Sequence, residues 1–304
     1  MKIRLSMFVL PYEIDKYEGV AKQLKINSTL LENLEVEMDV TLSVSSELMN
    51  WDKSILPKEY FAEKFINITQ YFDWASPTSV FDVSEDNWLL GCVSKRRQSW
   101  KDMSIDTDAL TMLDCDIVFP VHALYYIEQC MFQLKDTVNW VLTPEIIRIW
   151  DNTWDDLVND KYKNMDHSFY KMADTYDIVN DPHLIDQFGK LRTISPVKFA
   201  GGWLTTISKN LLDLTEIPEE LGHYGLEDTY IMECANHMQK LDMHSVTQYV
   251  MQGLIVCENY RYSDIQYLTN MLSPIDRRKE FLQVANSNFA NSVQKFIRRT
   301  TNGP

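Results

Sequence analysis

The first forty-odd residues constrain the fold most. KIRLSMFVLP, Lys2 to Pro11, is an apolar run of strand length closed by a proline. A helical pattern follows from Tyr17 to Leu34, with Val20, Leu24, Leu30 and Leu34 among its apolar positions. VEMDVTLSVSS, Val36 to Ser46, then alternates as a half-buried strand does. Strand, helix and strand at this spacing make a β-α-β unit, whose crossover leaves the two strands parallel. The chain is therefore expected to be α/β.

The remainder extends this pattern. Residues 59–72 read as a helix and TSVFDV as a short strand, and SKRRQSWKDM opens another helix. LTMLDCDIVF is a further strand, and Pro120 marks the first position of the apolar helix PVHALYYIEQCMFQL. VNWVLTPEIIRIW returns to strand character before an acidic, aromatic section, residues 150–195, whose weak pattern is that of an insertion or lid. VKFAGGWLTTIS is a strand with a Gly-Gly break, and a helix begins near Glu227. A last helix runs from Ile275 to Arg299, with Phe281, Ala285, Phe289, Val293 and Phe296 on one face. The expected organisation is one α/β domain over residues 1–262 and a helical tail over 263–304.

Within this frame LTMLDCDIVFP is anomalous, because two aspartates interrupt a run suited to burial. In a strand Asp114 and Asp116 share a face while Leu113 and Cys115 take the other. Two buried carboxylates together cost several kcal/mol unless a positive charge sits between them. Either the strand ends at the surface there, or the pair holds a divalent cation. A second constellation spans Lys198 to Ala235. Gly201-Gly202 lets backbone approach a ligand closely. Gly222 and Gly225 bracket His223 and Tyr224, and Glu227-Asp228 open the next helix. Acids there complement the helix dipole; a carboxylate on a rigid helix start also suits a general base.

Composition narrows the partners. A net charge of −15 argues against a surface devoted to duplex nucleic acid. Five cysteines (Cys92, Cys115, Cys130, Cys234, Cys257) form no C-x-x-C pair, as in a reducing, cytoplasmic compartment. No apolar run approaches the roughly 20 residues of a membrane span, and the N-terminus lacks a signal-peptide core.

Taken in order, these segments resemble the GT-A glycosyltransferases, especially glycosyltransferase family 2 and its relatives. GCVSKRRQSW resembles the family's glycine-to-Ala-Arg-Asn helix, with Arg97 in the arginine's place and Gln98 in the asparagine's. DTDALTMLDCDIVFPVHAL resembles its Asp-Ala-Asp, strand, Asp-x-Asp, Pro and helix run. FAGGWLTTISKNLL and GHYGLEDTYI resemble its acceptor-side Gly-Gly strand and its Gly-x-Glu-Asp helix start. The resemblance implies a GT-A fold, a Rossmann-like mixed, mostly parallel sheet flanked by helices. It implies a glycosyltransferase that moves a sugar from a nucleotide-sugar donor to an acceptor hydroxyl with inversion. Asp114 and Asp116 would hold Mn2+ or Mg2+ and the nucleotide diphosphate, and Asp228 would be the catalytic base. Glu227, Gly202, Trp203 and Tyr224 would meet the acceptor; Pro11, Tyr12, Glu13 and Arg97 would meet the donor. The acceptor is left open among a glycan, a lipid-linked saccharide, a protein and a hydroxylated nucleic-acid base, the net charge of −15 weighing against the last.

The departures are specific. The first strand ends PYEID where the family has Pro-x-Tyr-Asn-like residues, and the second ends SVSSEL where it has Asp-Asp-Gly-Ser. LIVCENYRY stands where relatives carry a third metal ligand, often histidine, leaving Cys257, Glu258, nearby His244 or water. Two other readings therefore stand beside the transferase. One is a non-catalytic sugar- or nucleotide-binding module of the same fold. The other is a haloacid-dehalogenase-type phosphotransferase, which expects Gly-Thr after the aspartates rather than Ile117-Val118.

Overall fold

A computed structural model describes residues 1–9, 14–44, 79–82, 91–146, 157, 179–180, 189–195, 197–198, 201–221, 226–242, 244–258 and 275–301. The helix expected over 59–72 lies outside them. The opening β-α-β unit is β1 (Lys2–Val9), α1 (Ile14–Ser28) and β2 (Glu35–Val44). β1 runs parallel to β2 from Lys2↔Glu35 to Val9↔Leu42. α1 stops before Leu34, because the N–H groups of Thr29 and Leu30 turn back onto the carbonyls of Ile26 and Asn27. Leu30 is left exposed, while Leu34 rejoins the core from the loop.

β3 (Ser79–Asp82) and α2 (Gly91–Lys101) lead to β4 (Ala109–Asp114) and a two-residue strand β5 (Ile117–Val118). The aspartate segment is thus not the single strand its pattern predicts: β4 ends at Asp114, and a turn carries Cys115 and Asp116. α3 (Ala123–Gln133) begins three residues after Pro120, whose carbonyl accepts the Ala123 N–H at 3.1 Å and closes a turn first. β6 (Trp140–Ile146) follows, then β7 (Leu191–Ile194), which lies inside the section read as an insertion. β7 pairs with β9 (Thr247–Glu258), so the end of that section belongs to the sheet. β8 (Trp203–Ser208), α4 (Lys209–Thr215), a 3-10 turn (Glu219–Leu221) and α5 (Glu227–Lys240) precede β9, and α6 (Ile275–Thr301) closes the chain.

Among the described residues the sheet has the order β3-β2-β1-β4-β8-β6-β9-β5, with β7 also on β9. It is mixed, with β3, β2, β1 and β4 parallel and β8 antiparallel to both neighbours, β4 and β6. Helices flank it. Ile3, Leu5, Met7 and Val9 of β1 pack with Tyr17 and Leu24 of α1 and Tyr126 and Ile127 of α3. A second core cluster joins Leu110 and Met112 of β4 to Leu211 of α4, Ile231 of α5 and Phe296 of α6. Strands whose two faces are both covered put their ligand sites at the carboxyl ends, where loops take over. Asp114 is such an end. Among the described residues no helix is long and apolar enough to cross a membrane.

Candidate functional site

A bulge shapes the floor of the site. β4 and β8 pair regularly from Ala109↔Ser208 to Met112↔Thr205, and then the register slips so that Leu113 faces Trp203. Leu204 absorbs the extra residue in left-handed backbone, φ 63°. The Gly202 carbonyl then accepts the Asp114 N–H at 2.7 Å. Gly202 has to lack a side chain: a Cβ there would stand 2.8 Å from Asp114 Cγ and against the Arg96 guanidinium. Gly202 therefore serves close approach, but to the protein's own charged groups. A Cβ on Gly201 would meet the Trp203 ring at 2.8 Å. Trp203, expected at the acceptor, is 7% exposed and packed into the core.

The central cation is Arg96. α2 buries Val93, Arg96 and Ser99, a three-residue spacing that marks its inward face. Arg96 donates from Nη2 to Asp114 Oδ1 and from Nη1 to Glu227 Oε1. Arg97, the family-matched position, reaches the Pro218 carbonyl at 3.4 Å and Glu219 at 3.7 Å instead. Counting inward positions from Val93 selects Arg96; matching the family's tripeptide selects its neighbour.

The other carboxylates arrive on the first turn of α5. Leu226 enters the helix in left-handed backbone, φ 72°, and Glu227 and Asp228 follow at once. Glu227 is 1% exposed, and among the described residues its Oε2 has no hydrogen-bond partner. Asp228 Oδ1 accepts from the Thr229 N–H at 2.6 Å and the Thr229 hydroxyl at 3.2 Å. Burial, and next the Glu227 charge, push the Asp228 carboxyl up to about 8, with Arg96 pulling the other way. Asp116 is raised to about 6, by burial and then by Asp114, against Lys16 and Arg96. Four carboxylates from distant parts of the chain thus share one buried guanidinium. Lys16, which nothing in the sequence pattern singled out, adds a favourable charge for Asp116 from α1.

The structure brings Asp114, Asp116, Glu227, Asp228 and Gly202 together. Pro11, Tyr12, Glu13 and Tyr224 lie outside the described residues. Of the third-ligand candidates, His244 is exposed, and burial pushes the Cys257 thiol far up, keeping it protonated. Among the described residues no group of three or more histidine, cysteine, aspartate or glutamate side chains is arranged to hold a metal. Asp114 and Asp116 still fit a hard cation, because Mg2+-type sites pair one or two carboxylates with phosphate oxygens and water. Burial first, and the Asp114 charge second, disfavour the Asp116 carboxylate, and a bound cation would offset both.

No protein-family model and no curated protein matches the chain. Among solved structures it is similar to glucosyl-3-phosphoglycerate synthase from Mycobacterium tuberculosis, in complex with phosphoglyceric acid. That likeness has a TM-score of 0.44 and 16% identity, covering 95% of this chain and 80% of the other. It is also similar to a galactosyltransferase solved with donor and acceptor sugar analogs. There the TM-score is 0.32 at 10% identity, over 91% of this chain and 82% of the other. At these scores neither likeness decides what the site does.

Proposed function

We propose that the protein is a GT-A-type glycosyltransferase that moves a sugar from a nucleotide-sugar donor to an acceptor hydroxyl with inversion. The observation that carries this reading is the meeting of two acidic pairs, Asp114–Asp116 and Glu227–Asp228, around Arg96 at the carboxyl end of β4.

Each pair has a separate task. Asp114 and Asp116 offer hard oxygens to Mn2+ or Mg2+, which when bound supplies charge neutralisation for a diphosphate leaving group. Asp228 takes the acceptor proton as the acceptor oxygen bonds to the anomeric carbon and the bond from that carbon to the diphosphate oxygen breaks. A carboxyl held near 8 is a far better proton acceptor than an ordinary aspartate. Glu227 Oε2, buried and without a hydrogen-bond partner among the described residues, would accept a hydrogen bond from an acceptor hydroxyl. Arg96 Nη1 holds the other oxygen, Oε1, and so fixes the orientation of that carboxylate.

The test separates binding from turnover. Nucleotide sugars are offered with a panel of saccharide acceptors, and nucleoside diphosphate release is followed. Asp228→Asn is expected to lose about 100- to 10,000-fold in rate while binding donor as the wild type does. Release unchanged in Asp228→Asn, or absent with every donor, would sink the reading.

A further inference from the structure

We propose that Arg96 is an exchangeable counter-ion, a positioning residue whose bond to Asp114 must give way when a divalent cation enters. The proposal rests on the donor-site reading above and adds what the ligand-free protein does in its place. Asp114 Oδ1 cannot serve Arg96 Nη2 and a metal ion equally well, because guanidinium and cation would then be close like charges. Nη1 is tied separately to Glu227, on the other side of the site. When the cation takes Asp114, Arg96 stays anchored on the acceptor side and its freed Nη2 faces the donor side. Gly202 enforces the arrangement, since any side chain there would strike both partners of the Arg96–Asp114 bond. A single side chain thereby links occupancy of the donor half to the acceptor half.

This predicts an unusual sign. A residue that merely supports the fold weakens ligand binding when it is removed; removing a competing counter-ion strengthens it. Mn2+ affinity is measured on the full chain without nucleotide, from the loss of the free Mn2+ electron paramagnetic resonance signal. Arg96→Met is expected to bind Mn2+ about tenfold tighter than wild type or better, and Arg96→Lys, which keeps the charge, close to wild type. Because Arg96→Met strands the buried Glu227 carboxylate, the double variant Arg96→Met/Glu227→Gln is measured beside it and is expected to show the same gain. Adding Asp116→Ala should abolish the gain and so locate it. Unchanged or weaker Mn2+ binding in both Met variants, with cooperative melting retained, would overturn the proposal and leave the donor-site reading intact. No Mn2+ binding by any of these proteins would overturn the proposal, and no binding even with UDP, GDP, CDP or dTDP added would overturn the donor-site reading as well.

Discussion

Asp228 carries the sharpest consequences. Burial and then the Glu227 charge push its native carboxyl from the ordinary 3.8 up to about 8, so the native state holds the proton more tightly. That contribution to stability is complete below the unfolded value and is lost as pH rises towards 8. Asp228→Asn removes the slope, so its advantage in thermal stability over wild type should grow between pH 4 and pH 8, to about 1 kcal/mol or more. Glu227→Gln deletes the nearest like charge, so the acidic limb of its kcat/KM profile is expected at lower pH than in wild type, whatever the amplitude. A limb that does not move would detach Asp228 from the rate. Gly202→Ala should cost about 1–3 kcal/mol of stability and abolish nucleotide-dependent stabilisation. At this scale the acids were legible because they break apolar or glycine-rich patterns. Arg96 was not: it sits in the run Lys95-Arg96-Arg97, where composition is uniform and only the helical phase set by Val93 separates site from surface.

α6 presents a choice between two ways of holding an element. Its Lys295 pairs with Glu220 of the 3-10 turn, and Arg299 pairs with Glu216 at 3.0 Å and donates to the Leu214 carbonyl at 3.1 Å. Asn288 donates to the Glu220 carbonyl at 2.8 Å. These bonds grip the segment that leads into Leu226 and the acidic turn of α5. Yet Lys295 is 66% and Glu220 45% exposed by side chain, and such pairs contribute about 0–1 kcal/mol. Phe296 is 3% exposed within the second core cluster, and truncating a buried phenylalanine costs about 3–5 kcal/mol. Denaturant unfolding is expected to show a large loss for Phe296→Ala and a small one for Lys295→Ala; the reverse order would mean that charge, not packing, holds α6. The period of α6 was legible because it is amphipathic over many turns. β7 was hidden: LRTI shows only Ile194 buried, so no alternation announces it, and its pairing with β9 supplies what its sequence lacks. The break after Asp114 was equally hidden, since the turn at Cys115–Asp116 is flanked by buried residues on both sides.

Across the whole molecule, topology gathers the chemistry. β1 lies between β2 and β4, all parallel, and β8 reverses direction beside β4. The carboxyl end of β4 therefore meets the Gly201-Gly202 entry to β8. α2 and α5, more than 100 residues apart in sequence, deliver Arg96 and Glu227 to the same point. The parallel half could be foreseen from strand and helix spacing, whereas the antiparallel insertion of β8 depends on long-range pairing that no local pattern encodes. The central claim is that this junction binds a nucleoside diphosphate together with a divalent cation. Thermal unfolding with UDP, GDP, CDP and dTDP, each with and without Mn2+, on wild type and Asp116→Ala, tests it most directly. The account predicts a Mn2+-dependent rise for one nucleotide that Asp116→Ala lacks. No rise with any nucleotide at millimolar concentration, or a rise that survives Asp116→Ala, would contradict it.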